Sequence, residues 1–126
     1  MTGFHLTADY IDFTYDASDT EIGPKLTQAM AAAVTRQGMT VMHTHCHVFD
    51  ASETRPGFTA VVLIDESHCT AHCYQDAGQL ALDIFTCGSA NTAAALDEVH
   101  EVIKSTLAPT AKKVAGDELI RFKINS

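Results

Sequence analysis

A chain of 126 residues is one domain's worth of sequence, large enough to bury most of its apolar surface and small enough that a single two-layer core is the natural solution. Eight Lys and Arg stand against sixteen Asp and Glu, and the formal charge of -8 argues against nucleic acid or an anionic membrane as partner and favours a cationic small molecule. The start, Met1-Thr2-Gly3-Phe4-His5, has no basic stretch followed by an apolar run, and no segment has the length to cross a bilayer; a cytosolic protein is expected, with Cys46, Cys69, Cys73 and Cys87 as reduced thiols.

Phe4, Leu6, Ala8 and Tyr10 alternate with His5, Thr7 and Asp9, the period-2 pattern of a half-buried strand. Ile22, Leu26, Met30 and Val34 then recur every four residues; with Pro24 suited to a first turn and Gly38 to a stop, they predict a helix over about 22–37. Thr40 to Phe49 reads as a second strand with His43, His45 and His47 on one face, and Asp50 to Gly57, with Ser52 and Pro56, as a loop. Phe58 to Ile64 is an apolar run of strand length. The polar break Asp65-Glu66-Ser67 separates it from a second extended piece, Cys69 to Tyr74, and the two predict a hairpin.

Gln75-Asp76-Ala77-Gly78 is the next turn, followed by a strand in which Leu80, Leu82, Ile84 and Thr86 alternate with Ala81, Asp83 and Phe85. Ser89 or Asn91 suits the cap of a second helix, whose stripe of Leu96, Val99, Ile103 and Leu107 ends before Pro109. Ile120, Phe122 and Ile124 predict a last strand over Glu118 to Ile124. Two helices against several antiparallel strands give an α+β two-layer sandwich, with both helices on one face of the sheet.

The chemistry concentrates between Leu63 and Gly88. A peptide bond in a tight turn before a serine can be attacked by that serine's own hydroxyl; the resulting ester can eliminate across Cα and Cβ, and hydrolysis of the dehydroalanine leaves a pyruvoyl group on a new N-terminus. For Ser67 the cut falls between Glu66 and Ser67, giving a β fragment 1–66 and an α fragment 67–126. A lone serine in a hairpin is ordinarily a hydrophilic turn residue, but its neighbours favour the chemical reading. His72, five residues on and expected across the hairpin, is a side chain suited to moving protons near neutrality. Cys87, between a strand end and a helix start, is placed as reactive thiols are, whereas Cys46, Cys69 and Cys73 read as core or surface thiols.

The order Glu66-Ser67-His68, then His72, then Phe85-Thr86-Cys87-Gly88, resembles the small prokaryotic S-adenosylmethionine decarboxylases, from about Phe4 to Leu107 and most densely over Gly57 to Gly88. The resemblance implies that Ser67 becomes the pyruvoyl cofactor, that His72 assists processing, and that Cys87 protonates the α-carbon after carbon dioxide leaves. It implies further that Thr59, standing where the family commonly has a serine, stabilises the processing intermediate, and that Asp76, standing where the family has a glutamate, binds the ribose hydroxyls. A homodimer of processed protomers and an α+β fold come with it. The implied reaction condenses the pyruvoyl carbonyl with a substrate amine to a Schiff base, an electron sink comparable to pyridoxal phosphate, and yields decarboxylated S-adenosylmethionine for spermidine synthesis.

Relatives that have turned to arginine or ornithine make a free amino acid the variant substrate. An alternative of a different class is a zinc-binding module built from His43, His45 and His47 with His68, His72, Cys69 and Cys73, all good zinc ligand types. A non-catalytic paralogue is a third reading, against which Ser67, His72 and Cys87 stand intact.

Overall fold

The alternation at the start of the chain folds as it reads: Leu6, Ala8 and Tyr10 are buried while Thr7 and Asp9 are exposed. The structure is a computed structural model and describes residues 2–16, 18–50, 52, 55–88, 90–107, 112–114 and 118–122. Its elements are β1 (Gly3–Ile11), α1 (Ile22–Arg36), β2 (Val41–Phe49), β3 (Gly57–Ile64), β4 (Ser67–Tyr74), a 3-10 turn (Gln75–Ala77), β5 (Gln79–Cys87), α2 (Thr92–Thr106), β6 (Lys112–Val114) and β7 (Glu118–Arg121).

The strands form one antiparallel sheet in the order β2-β3-β4-β5-β1, and β6 and β7 both pair with the far edge of β1. Helix α1 lies over β2 and β3, α2 lies over β1 and β5, and the helices touch each other. This is the expected α+β sandwich with both helices on one face. Because side chains alternate across a strand, one face of each strand feeds the core: Ala60, Val62 and Ile64 from β3, Cys69, Ala71 and Cys73 from β4, Leu80, Leu82 and Ile84 from β5. Leu26, Met30 and Val34 of α1 and Leu96, Val99 and Ile103 of α2 close over them, and truncating one of the larger of these to Ala costs about 2–5 kcal/mol.

Asn91 caps α2, its Oδ1 accepting from the Ala94 N–H at 3.0 Å; the other expected cap, Ser89, lies outside the described residues. Some details differ from expectation, among them one strand that the sequence did not announce. Strand β4 starts at Ser67 rather than Cys69, because the hairpin closes through Asp65 and Glu66 alone. Strand β6 is three residues long, too short to show a period. Strand β7 ends at Arg121, and Ile124 of the expected strand lies outside the described residues.

Candidate active site

The register pairs Ile64 with Ser67 directly, which leaves a two-residue loop between β3 and β4. Such loops require left-handed backbone, and Glu66 takes it with φ +66°, a conformation that disfavours an L side chain by about 1–2 kcal/mol. The strained residue therefore carries the carbonyl immediately before Ser67. Strands β4 and β5 run antiparallel, so the start of one lies beside the end of the other, and this brings together residues twenty apart in sequence. The Cys87 N–H donates to Ser67 Oγ at 3.2 Å. A donor aimed at that oxygen favours the charge it acquires on losing its proton.

Cys87 is half-buried, and Gly88 follows it at φ +81°, the left-handed turn that takes the chain out of the sheet. Ser67 and Cys87 share a cavity of about 340 Å³ with Gln37, Gly38, Met39 and Thr40 after α1, Ile64 and Asp65 of the hairpin, and Ala90 before α2. Hydroxyl, thiol and strained residue thus lie at one end of the sheet.

The other expected site residues lie at the opposite end. Thr59 of β3 stands directly across from His72 of β4, and Thr59 Oγ1 and His72 Nδ1 are hydrogen-bonded at 3.2 Å. They share a cavity of about 210 Å³ with Phe49, Arg55, Phe58, Cys73 and Tyr74. Asp76 follows in the 3-10 turn, where the Arg55 guanidinium grips it: Nε lies 3.2 and 3.1 Å from the two carboxylate oxygens and Nη2 3.1 Å from Oδ1. The Arg55 hydrogen bond holds the Asp76 carboxyl below the usual carboxylate range, and the same guanidinium sits 5.5 Å from the Tyr74 ring centre.

The expectation that His72 lies across the hairpin from Ser67 is therefore corrected. Both residues are on β4; five steps along a strand span roughly 17 Å, and residues of opposite parity point to opposite faces. Within one chain, Ser67 and Cys87 are brought together, Thr59 and His72 are brought together, and the two pairs are kept apart.

The same parity dismantles the zinc reading. On β4, Cys69 and Cys73 face the buried core while His72 is exposed on the other face, so these residues cannot converge on one ion. Burial pushes the Cys69 thiol up to about 12 and the Cys73 thiol up to about 11, and both stay protonated at neutral pH. His43, His45 and His47 are exposed along edge strand β2. Among the described residues, the His, Cys, Asp and Glu side chains close enough to share a metal are His5, His68 and Asp83. Asp83 and His5 were not legible as site residues, since their meeting depends on the register of β1 with β5; the available signal was a carboxylate on the alternating polar side of an otherwise apolar strand.

The family model described as S-adenosylmethionine decarboxylase matches residues 4–116. S-adenosylmethionine decarboxylase proenzymes of Thermosipho africanus and Thermoplasma volcanium are 30% and 31% identical over 115 and 120 residues, covering 90% and 91% of this chain and 84% and 85% of theirs. That of Persephonella marina is 29% identical over 103 residues, 81% of this chain and 73% of its own. The crystal structure of the adenosylmethionine decarboxylase from Aquifex aeolicus superposes with a TM-score of 0.62 at 23% identity over 94% of this chain and 88% of that one, a likeness of fold. The chain belongs to the S-adenosylmethionine decarboxylase family.

Proposed function

We propose that this chain is a proenzyme that cuts itself between Glu66 and Ser67 and then acts as a pyruvoyl-dependent S-adenosylmethionine decarboxylase. One observation carries the reading: a left-handed Glu66 directly precedes a serine whose Oγ accepts from the Cys87 N–H. Ser67 Oγ attacks the Glu66 carbonyl carbon, the C–O bond forms, and the Glu66–Ser67 C–N bond breaks with the proton passing to nitrogen. Removal of the Ser67 Cα proton then expels the Glu66 carboxylate from Cβ. Water replaces the nitrogen, which leaves as ammonia, and residue 67 becomes pyruvoyl.

That group supplies a carbonyl that takes up the substrate's amine and draws off the electrons left behind by carbon dioxide. Cys87, in the same cavity as Ser67, delivers the proton to the substrate's α-carbon. The names of the relatives favour S-adenosylmethionine over free arginine or ornithine. Asp76 is its ribose ligand, with Arg55 as the group the diol must displace or share.

The active form is a homodimer in which each site draws on both copies. Ser67 with Cys87 and His72 with Thr59 lie at opposite ends of the sheet, and a two-fold axis laid across β4 sets one copy's His72 over the rim of the other's sheet, where the hairpin turn carries the Glu66–Ser67 bond, twice over. The sheet face away from the helices leaves Leu63 and Tyr74 exposed among its histidines, apolar surface that a second copy covers. No helix among the described residues is long and apolar enough to cross a membrane, and all four cysteines are free, which supports a reducing, cytoplasmic setting.

Denaturing mass spectrometry of the purified protein tests the reading: fragments 1–66 and 67–126 are expected, the second resistant to Edman sequencing. A chain that stays whole under all conditions contradicts it. Release of carbon dioxide from carboxyl-labelled S-adenosylmethionine, arginine, ornithine and lysine side by side then identifies the substrate.

A further inference from the structure

One carboxylate on the open face of the sheet holds two imidazoles. His68 Nε2 lies 2.8 Å from Asp83 Oδ1, and His5 Nε2 is hydrogen-bonded to Asp83 Oδ2. An ionised carboxylate has no proton to give, so each imidazole is the donor. The three residues come from three adjacent strands, β4, β5 and β1, and all are half-buried. Phe85 stands beside both histidines, directly opposite each in the strand register, with ring centres 5.9 Å from either, and the Arg121 guanidinium caps its ring at 5.8 Å.

We infer that Asp83 is a positioning residue for the group formed at residue 67: by clamping the His68 imidazole, it fixes the residue to which that group is attached. The inference rests on the proposed self-cleavage and follows from what cleavage removes. In the intact chain, residue 67 is held by its peptide bond to Glu66, by its ladder pairing with Ile64 and by the Cys87 N–H on its Oγ. Conversion to pyruvoyl cuts the bond, releases the nitrogen as ammonia and strips the Oγ from Cβ. The new terminus then depends on residue 68, whose side chain is tied through Asp83 to β5 and, through His5, to β1. The clamp is dispensable for cutting and needed afterwards.

The test compares Asp83→Ala, Asp83→Asn and wild type in two backgrounds, the processed protein and the uncut Ser67→Ala chain, by hydrogen exchange at the His68 and Cys69 amides. In processed protein, Asp83→Ala exchanges about 10-fold faster there as local opening becomes easier, while in the uncut background it matches its parent. Cleavage goes to completion, kcat falls about 10- to 100-fold through misplacement of the reacting carbonyl, and KM changes little. Asp83→Asn keeps one acceptor oxygen and restores part of both losses. Equal exchange in the two backgrounds overturns the inference, as does wild-type kcat in cleaved Asp83→Ala. A folded Asp83→Ala that stays uncut also overturns it, because the clamp then acts on the turn. Failure of the wild-type chain to cleave defeats the proposed self-processing itself.

Discussion

The two ends of strand β4 differ in kind. At the Ser67 end lie a strained carbonyl, a hydroxyl and a thiol, with a backbone N–H aimed at the hydroxyl. At the His72 end lie an imidazole, the Thr59 hydroxyl, an Arg55–Asp76 pair and aromatic rings. Among the described residues, the first end shows no imidazole hydrogen-bonded to the serine hydroxyl, and the second, with its imidazole and its Arg55–Asp76 pair, lies away from Ser67. One strand's length separates what the chemistry must combine, and the proposed two-fold dimer is what would bring it together.

Substitutions at each end sharpen that contrast. The largest effect falls on Ser67→Ala, which removes the attacking oxygen and is expected to leave a single uncut mass. Cys87→Ala should still cleave, because the N–H that supports Ser67 belongs to the backbone, while decarboxylation drops by roughly 10²–10⁴-fold with loss of the proton donor. Normal turnover of that variant assigns the proton to another group. Glu66→Gly relieves the left-handed strain on the carbonyl that is attacked, so time-resolved mass spectrometry should show cleavage slowed by up to about tenfold.

Smaller effects are expected at the far end. Arg55→Ala frees the Asp76 carboxylate, and KM for S-adenosylmethionine should fall by up to about fivefold, the worth of an exposed ion pair. A KM that rises instead makes Arg55 a contact for the substrate rather than its competitor. Cys69→Ala, on the buried face, should leave turnover unchanged and cost about 1–2 kcal/mol in denaturant melts.

Long periodic stretches made the architecture readable. Leu6, Ala8 and Tyr10 or Leu26, Met30 and Val34 each meet one core face, and a period is visible without knowing what lies opposite. Position along a hairpin is different. The polar run Asp65-Glu66-Ser67 announced a turn but not where it ends, and placing Ser67 on β4 moves His72 from facing partner to distant strand-mate. Contacts set by register across non-consecutive strands, such as His5 with Asp83, leave no local trace at all. The reactive groups were thus legible as types, and their division between two ends was not.

Co-expression of two differently tagged variants tests the composite site most directly. Ser67→Ala alone has no nucleophile, and His72→Ala alone has no imidazole to serve its Ser67 in either copy. In mixed dimers the intact Ser67 and Cys87 of the His72→Ala chain meet the intact His72 of the Ser67→Ala chain. Mass spectrometry should then find the His72→Ala chain cut between Glu66 and Ser67 only in the mixture, with the Ser67→Ala chain whole throughout. A His72→Ala chain that cuts fully by itself, or stays whole in the mixture while wild type cuts, contradicts a site shared between copies.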